Sequence, residues 1–128
     1  KLVKKLIGMG KAILGARILV MGMTFKENVA DIRNSKVVDI INELKDFGVE
    51  VDVVDPYADP EEVKKMYGFR LIEKPLGNYD AVVVAVAHDA YQGLDEKYFK
   101  SLTCDKAVLV DVKGMYRDKI HELKYWSL

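Results

Sequence analysis

The sequence has little of what holds disulfide scaffolds and metal centres together. Of its 128 residues one is cysteine, Cys104, and two are histidine, His88 and His121. A lone cysteine excludes an internal disulfide framework and a multi-cysteine zinc site, so a metal centre would have to rest mainly on carboxylates, and none is expected. Excess charge of one sign is also missing. Twenty Lys and Arg balance twenty Asp and Glu, a net charge of zero, which excludes a strongly basic nucleic-acid binder. No apolar run approaches the roughly 20 residues of a membrane span, and no signal peptide opens the chain. No internal repeat or low-complexity stretch interrupts it. The expectation is a reduced, cytoplasmic setting, with neither nucleic acid nor membrane as partner.

What is present fits one ordinary globular domain. Half of the residues are hydrophobic and 31% are charged, and a core of this size buries roughly two-thirds of the unfolded chain's surface. Leu2, Val3, Leu6 and Ile7 lie at helical spacing, with Lys1, Lys4 and Lys5 on the opposite face. Two readings of this start stay open: an ordinary terminal helix, or the end of a helix from a longer protein.

From Ala16 onward, strand-type apolar runs alternate with helical patterns. Residues 17–21 read as a short strand ending at Gly22. Ser35 can cap a helix whose apolar face is Val37, Val38, Ile40, Ile41 and Leu44. Residues 49–54 form a second strand, stopped by Asp55-Pro56. Asp59-Pro60-Glu61-Glu62 starts a short helix, with proline in the first turn and acids at the positive end of the dipole. After a weak run at 69–72, residues 80–86 are the strongest strand; they lack polar alternation, as a parallel strand covered on both faces does. Residues 94–102 read as a helix and 107–111 as a last strand, with a short helix expected around Ile120 to Leu123. The fold expected is α/β, a doubly wound, mainly parallel, Rossmann-like sheet with helices on both faces.

In such a sheet, ligands bind beyond the carboxyl ends of the strands. The segments there are 22–35, 55–58, 88–93 and 111–116. Gly8-Met9-Gly10 with Gly15 imitates a dinucleotide loop, but it precedes the first strand, whereas a phosphate loop follows one. The chain therefore lacks a complete NAD fingerprint of its own. Residues 25–35 make a long loop that carries Lys26 and Arg33 just before a helix N-terminus, where anions are favoured. The competing reading is a solvated loop in which Asp31 pairs with Arg33 or Lys26. Asp55 is read as a turn residue rather than a ribose ligand. His88 is read as capping or bonding the next helix, not as an acid/base pair with Asp89.

Gly22-Met23-Thr24-Phe25-Lys26, followed by Asp31-Ile32-Arg33-Asn34-Ser35, resembles the C-terminal domain of the nucleotide-sugar 6-dehydrogenases, the UDP-glucose/GDP-mannose dehydrogenase family. The likeness continues in order through residues 51–56, 85–89 and 110–114. Phe-Lys-Glu-Asn and Asp-Ile-Arg-Asn-Ser are most similar to the branch acting on UDP-N-acetylhexosamines.

The resemblance implies a three-part parent chain with an NAD-binding domain, a central helical dimerisation domain and a nucleotide-sugar-binding domain. Residues 1–14 would end the linker helix, and residues 15–128 would be the third part. The parent, a homodimer or higher oligomer, would oxidise the sugar C6 alcohol to a carboxylate with two NAD. Its nucleophilic cysteine would lie outside this chain, leaving Cys104 a neutral structural thiol and the chain alone inactive. By the same resemblance Phe25 and Lys26 would contact the UDP-sugar, with Lys113 as a further candidate in Asp111-Val112-Lys113-Gly114. Arg33 would reach toward NAD held mainly by the preceding domain. The rival reading is a stand-alone α/β nucleotide-binding or regulatory module. A phospho-receiver would need an acidic pair after the first strand, where this chain has Gly-Met-Thr-Phe-Lys.

Overall fold

The computed structural model describes residues 16–127; the expected linker helix and the glycine loop at 8–15 lie outside them. Five strands, β1 (Arg17–Met21), β2 (Glu50–Val54), β3 (Tyr79–Val84), β4 (Thr103–Asp111) and β5 (Lys124–Ser127), form one sheet in the order β2-β1-β3-β4-β5. Every pairing is parallel. Three α-helices connect them: α1 (Lys36–Asp46), α2 (Pro60–Tyr67) and α3 (Glu96–Leu102), with a 3-10 turn at Asp89–Tyr91.

The strand side chains alternate between two cores. Ile18 and Val20 face one, with Val38, Ile41 and Leu44 of α1 and Val63 of α2. Leu19 and Met21 face the other, with Phe99 of α3, Tyr79 and Tyr116. Both faces of the central strands are thus buried, and this is why residues 80–86 carry no polar alternation. Helix α2 begins as its composition predicts: the Asp59 carboxylate accepts from Glu61 N at 3.0 Å, Pro60 occupies the first turn, and Gly68 closes the helix at φ +81°.

Two expectations need correction. The tail holds no helix at Ile120 to Leu123; it turns and adds β5 at the sheet edge, with Trp126 opposite Val110. Strand β4 starts at Thr103, earlier than its apolar run, because the polar residues 103–106 still lie along the edge of β3 and Tyr79 pairs with Thr103 before a register shift.

The chain runs from β1 to β2 in one direction and from β3 through β4 to β5 in the other. The topological switch point therefore lies between β1 and β3, and a crevice opens beyond their carboxyl ends. Gly22 lets the chain leave β1 there. Its φ of +91° suits glycine, and a Cβ at this position would sit 2.7 Å from Val86 Cβ.

Candidate functional site

The crevice holds a cavity of about 460 Å³ lined by the loop after β1, the start of α1 and the segments after β3 and β4. Phe25, Lys26 and Lys113 all line it, so the fold brings together three residues that lie up to 88 positions apart in the chain. Phe25 is 55% exposed. Lys36 also lines the cavity, and sequence reasoning missed it. A signal was available: Lys36 is the first residue of α1, where the helix dipole disfavours a cation. Three lysines against Glu27 give this cavity an excess of positive charge.

Ser35 stands at the N-cap of α1, but its hydroxyl does not cap the helix as expected. It donates to the Met23 carbonyl at 2.6 Å, tying the far end of the loop back to its start. The amino end of α1 therefore reaches the cavity without a side-chain cap.

Beneath the loop lies a buried polar cluster. The side chain of Asp55 is fully buried. Its Oδ2 accepts from Met23 N at 2.8 Å and Thr24 N at 3.3 Å, and its Oδ1 from Tyr57 N at 2.7 Å and Ala58 N at 3.0 Å. Such a set of donors replaces the lost hydration of a buried carboxylate. The turn reading of Asp55 thus holds, and the residue also anchors the loop after β1.

His88 is fully buried as well. It occupies the N-cap position of the 3-10 turn yet makes no side-chain cap, contrary to the capping expectation. Its ring turns inward, where Nδ1 accepts from Asn28 N at 2.9 Å and Nε2 lies 3.0 Å from Asp55 Oδ2. A backbone N–H can only donate, so Nδ1 carries no proton and Nε2–H is the donor to Asp55. The contact is a hydrogen bond of a neutral imidazole. Asp89 is no acid/base partner: its carboxylate faces Gln92 Nε2 at 3.4 Å.

Arg33 is placed elsewhere. Its guanidinium forks onto Asp31, Nε to Oδ1 at 3.1 Å and a terminal nitrogen to Oδ2 at 3.3 Å, with its side chain 75% exposed. It lines a second cavity, about 670 Å³, with Ile32 of the same loop and Glu62, Lys65 and Met66 of α2. The fold does not bring Arg33 into the cavity of Lys26 and Lys113.

The same geometry tests whether the chain fits NAD in its own crevice. It does not. No glycine-rich loop follows β1, and the acid after β2, Asp55, has both oxygens occupied by backbone amides. Cys104 lies at the opposite end of the sheet, its thiol 3.3 Å from Asp80 Oδ1. Among the described residues no group of three or more His, Cys, Asp or Glu side chains could hold a metal ion, and no helix is long and apolar enough to cross a membrane.

Residues 19–118 match the family described as "UDP-glucose/GDP-mannose dehydrogenase family, UDP binding domain". The chain is 38% identical over 114 residues to UDP-N-acetyl-D-glucosamine 6-dehydrogenase of Salmonella typhi, a match covering 88% of this chain and 27% of that protein. It is 37% identical over 125 residues to the protein of the same name from Pseudomonas aeruginosa, covering 97% and 30% respectively. In fold it is similar to the crystal structure of an NDP-N-acetyl-D-galactosaminuronic acid dehydrogenase from Methanosarcina mazei Go1. That likeness has a TM-score of 0.82 at 23% identity, over 99% of this chain and 27% of the other. The chain thus spans less than a third of the length of these two curated relatives.

Proposed function

The chain belongs to the UDP-glucose/GDP-mannose dehydrogenase family, and on that premise we propose that its switch-point cavity binds the UDP part of a nucleotide sugar. The carrying observation is the convergence of Phe25, Lys26 and Lys113 on one cavity at the carboxyl edge of the sheet. Lysine ammonium groups neutralise a diphosphate as point charges, and the uncapped amino end of α1 adds a favourable dipole. The exposed ring of Phe25 offers an apolar face to uracil or ribose.

In this reading residues 15–128 are the C-terminal domain of an NAD-dependent nucleotide-sugar 6-dehydrogenase. The sugar is a UDP-N-acetylhexosamine, whose C6 alcohol becomes a carboxylate. NAD supplies hydride acceptance from a preceding domain, and the parent acts in the cytoplasm as a homo-oligomer. Arg33 is this chain's contact toward that domain. This chain's own residues do not move the hydride; they hold and orient the substrate's diphosphate.

Titration of the chain with UDP, followed residue by residue in NMR spectra, tests the site. Shifts are expected at Phe25, Lys26 and Lys113, and Lys26→Ala should weaken binding by about ten- to a hundredfold, the value of a lost hydrogen bond to a charged group. Absence of shifts at these residues, or unchanged affinity in Lys26→Ala, would overturn the reading.

A further inference from the structure

We propose that His88 is the positioning residue of the UDP loop: one buried imidazole clamps the Phe25–Lys26–Glu27 segment from both sides. The proposal rests on the reading of Lys26 as a ligand contact. It concerns a residue that lines neither described cavity of the loop.

The clamp is visible atom by atom. After the segment, Asn28 donates its N–H to His88 Nδ1 at 2.9 Å, and its own Oδ1 accepts from Asp89 N at 2.8 Å. Asn28 thus exchanges two hydrogen bonds with the His88–Asp89 step, and its φ of 61° turns the chain to do so. Before the segment, the buried hydroxyl of Thr24 lies 3.3 Å from His88 Nε2. That hydroxyl donates to the Lys26 carbonyl at 2.8 Å, so its oxygen is left to accept from the imidazole. The ring is itself fixed by Asp55 at 3.0 Å and by the Tyr57 and Tyr91 rings, with centroids 4.7 and 5.5 Å away.

Phe25, Lys26 and Glu27 are exposed, and exposed side chains on a long loop are mobile by default. Here their backbone is held at Thr24, at Lys26 and at Asn28, all through or beside one ring. The energetic consequence is preorganisation. A lysine whose backbone is already placed loses less freedom when it meets a phosphate. The two ring nitrogens divide the work: Nε2–H reaches Asp55 and Thr24, while Nδ1 alone holds Asn28.

That division supplies the test. Asparagine places its amide near the Nδ1 position and glutamine places its amide near Nε2. His88→Asn keeps an acceptor for Asn28, whereas His88→Gln keeps a donor for Asp55 and loses the acceptor. Backbone amide exchange at Asn28 and UDP affinity are measured on the full chain for both variants, with Lys26→Ala as reference. His88→Asn is expected to retain slow exchange at Asn28 and to bind UDP within about threefold of the parent. His88→Gln should exchange faster there and bind about tenfold more weakly, the usual scale for one lost hydrogen bond.

Equal exchange and equal affinity in the two variants would overturn the clamp, however much both lower the melting temperature. If Lys26→Ala leaves UDP binding unchanged while the exchange pattern follows expectation, the ligand reading fails and the clamp stands. Should either His88 variant fail to fold, Thr24→Val removes the hydroxyl and leaves the ring. It should speed exchange at Phe25 and Asn28, and unchanged exchange at both would overturn the proposal.

Discussion

Arg33 and Asp31 form a forked pair across one intervening residue, and the Arg33 backbone N–H adds a third bond to Asp31 Oδ1 at 2.9 Å. The hydrogen bonds to Arg33 hold the Asp31 carboxyl below its usual range, and those to Asp31 raise the guanidinium. The pair braces the outer limb of the loop, where Phe25 N also donates to Asp31 O at 2.7 Å.

Because this pair lies on the second cavity, Arg33→Ala and Asp31→Ala are expected to leave UDP affinity of the chain unchanged. The pair is solvent-exposed, so melting temperatures should move little. In a full-length protein containing this chain, Arg33→Ala should raise the KM for NAD and lower turnover, while Asp31→Ala should not. Equal defects of the two variants toward NAD and UDP would reduce Arg33 to a brace.

Lys36→Gln should move stability and binding in opposite directions. Removing a cation from the first turn of α1 favours the helix by about 0.3–1 kcal/mol. The same change takes one of three positive charges from the cavity, so UDP affinity should fall and its dependence on salt should become weaker. Thermal melts and titrations at two ionic strengths check both signs, and a variant less stable than the parent would contradict the dipole argument.

Gly22→Ala should cost about 2–4 kcal/mol, combining a left-handed backbone with a side-chain clash. The atom in the way is Val86 Cβ, 2.7 Å from the added methyl carbon. Chemical denaturation measures the loss; a change below 1 kcal/mol (about a fivefold shift in the folding equilibrium) would mean that β1 and β3 separate easily at this end.

The Glu96 carboxylate accepts from the backbone N–H groups of Leu123 at 2.9 Å, Glu122 at 2.6 Å and His121 at 3.0 Å. These bonds, Leu123 foremost, hold its carboxyl below the usual glutamate range. A carboxyl lowered in the folded state stabilises above its unfolded pKa of about 4.3, and that contribution disappears as pH falls through the folded value. The melting-temperature gap between the parent and Glu96→Gln should therefore be constant near neutrality and shrink in acid. A gap independent of pH would remove Glu96 from the tail's attachment.

The sheet was legible in the sequence wherever burial on both faces produced an unbroken apolar run, as at Val82-Val83-Val84. It was not legible at the edges. Lys124-Tyr125-Trp126-Ser127 is short and half-buried, and Ile120 with Leu123 nearby has the spacing of a helix turn. The site divides in the same way. Lys26 stood out as a cation on a long loop at a strand's carboxyl end, and Phe25 only through the resemblance carried by Gly22-Met23-Thr24-Phe25-Lys26. Asp55 and His88, read one at a time, are a turn and a cap. Their contact spans 33 residues and exists only once β2 and β3 lie on either side of β1.

The order β2-β1-β3-β4-β5 also governs when this domain can become a domain. No neighbouring strands are joined by a hairpin, and the central register sets Ile18 against Ala81. During synthesis a ribosome must therefore release β3 before β1 gains its second neighbour, and until then Leu19 and Val20 remain exposed to other chains. Folding is therefore expected to come late in synthesis and to be slow for the chain's size, since most of the loop-closure entropy is lost before the sheet returns it. Truncations that end before Val84 should give soluble yields far below those of truncations that end after Asp111, where β3 and β4 are both complete.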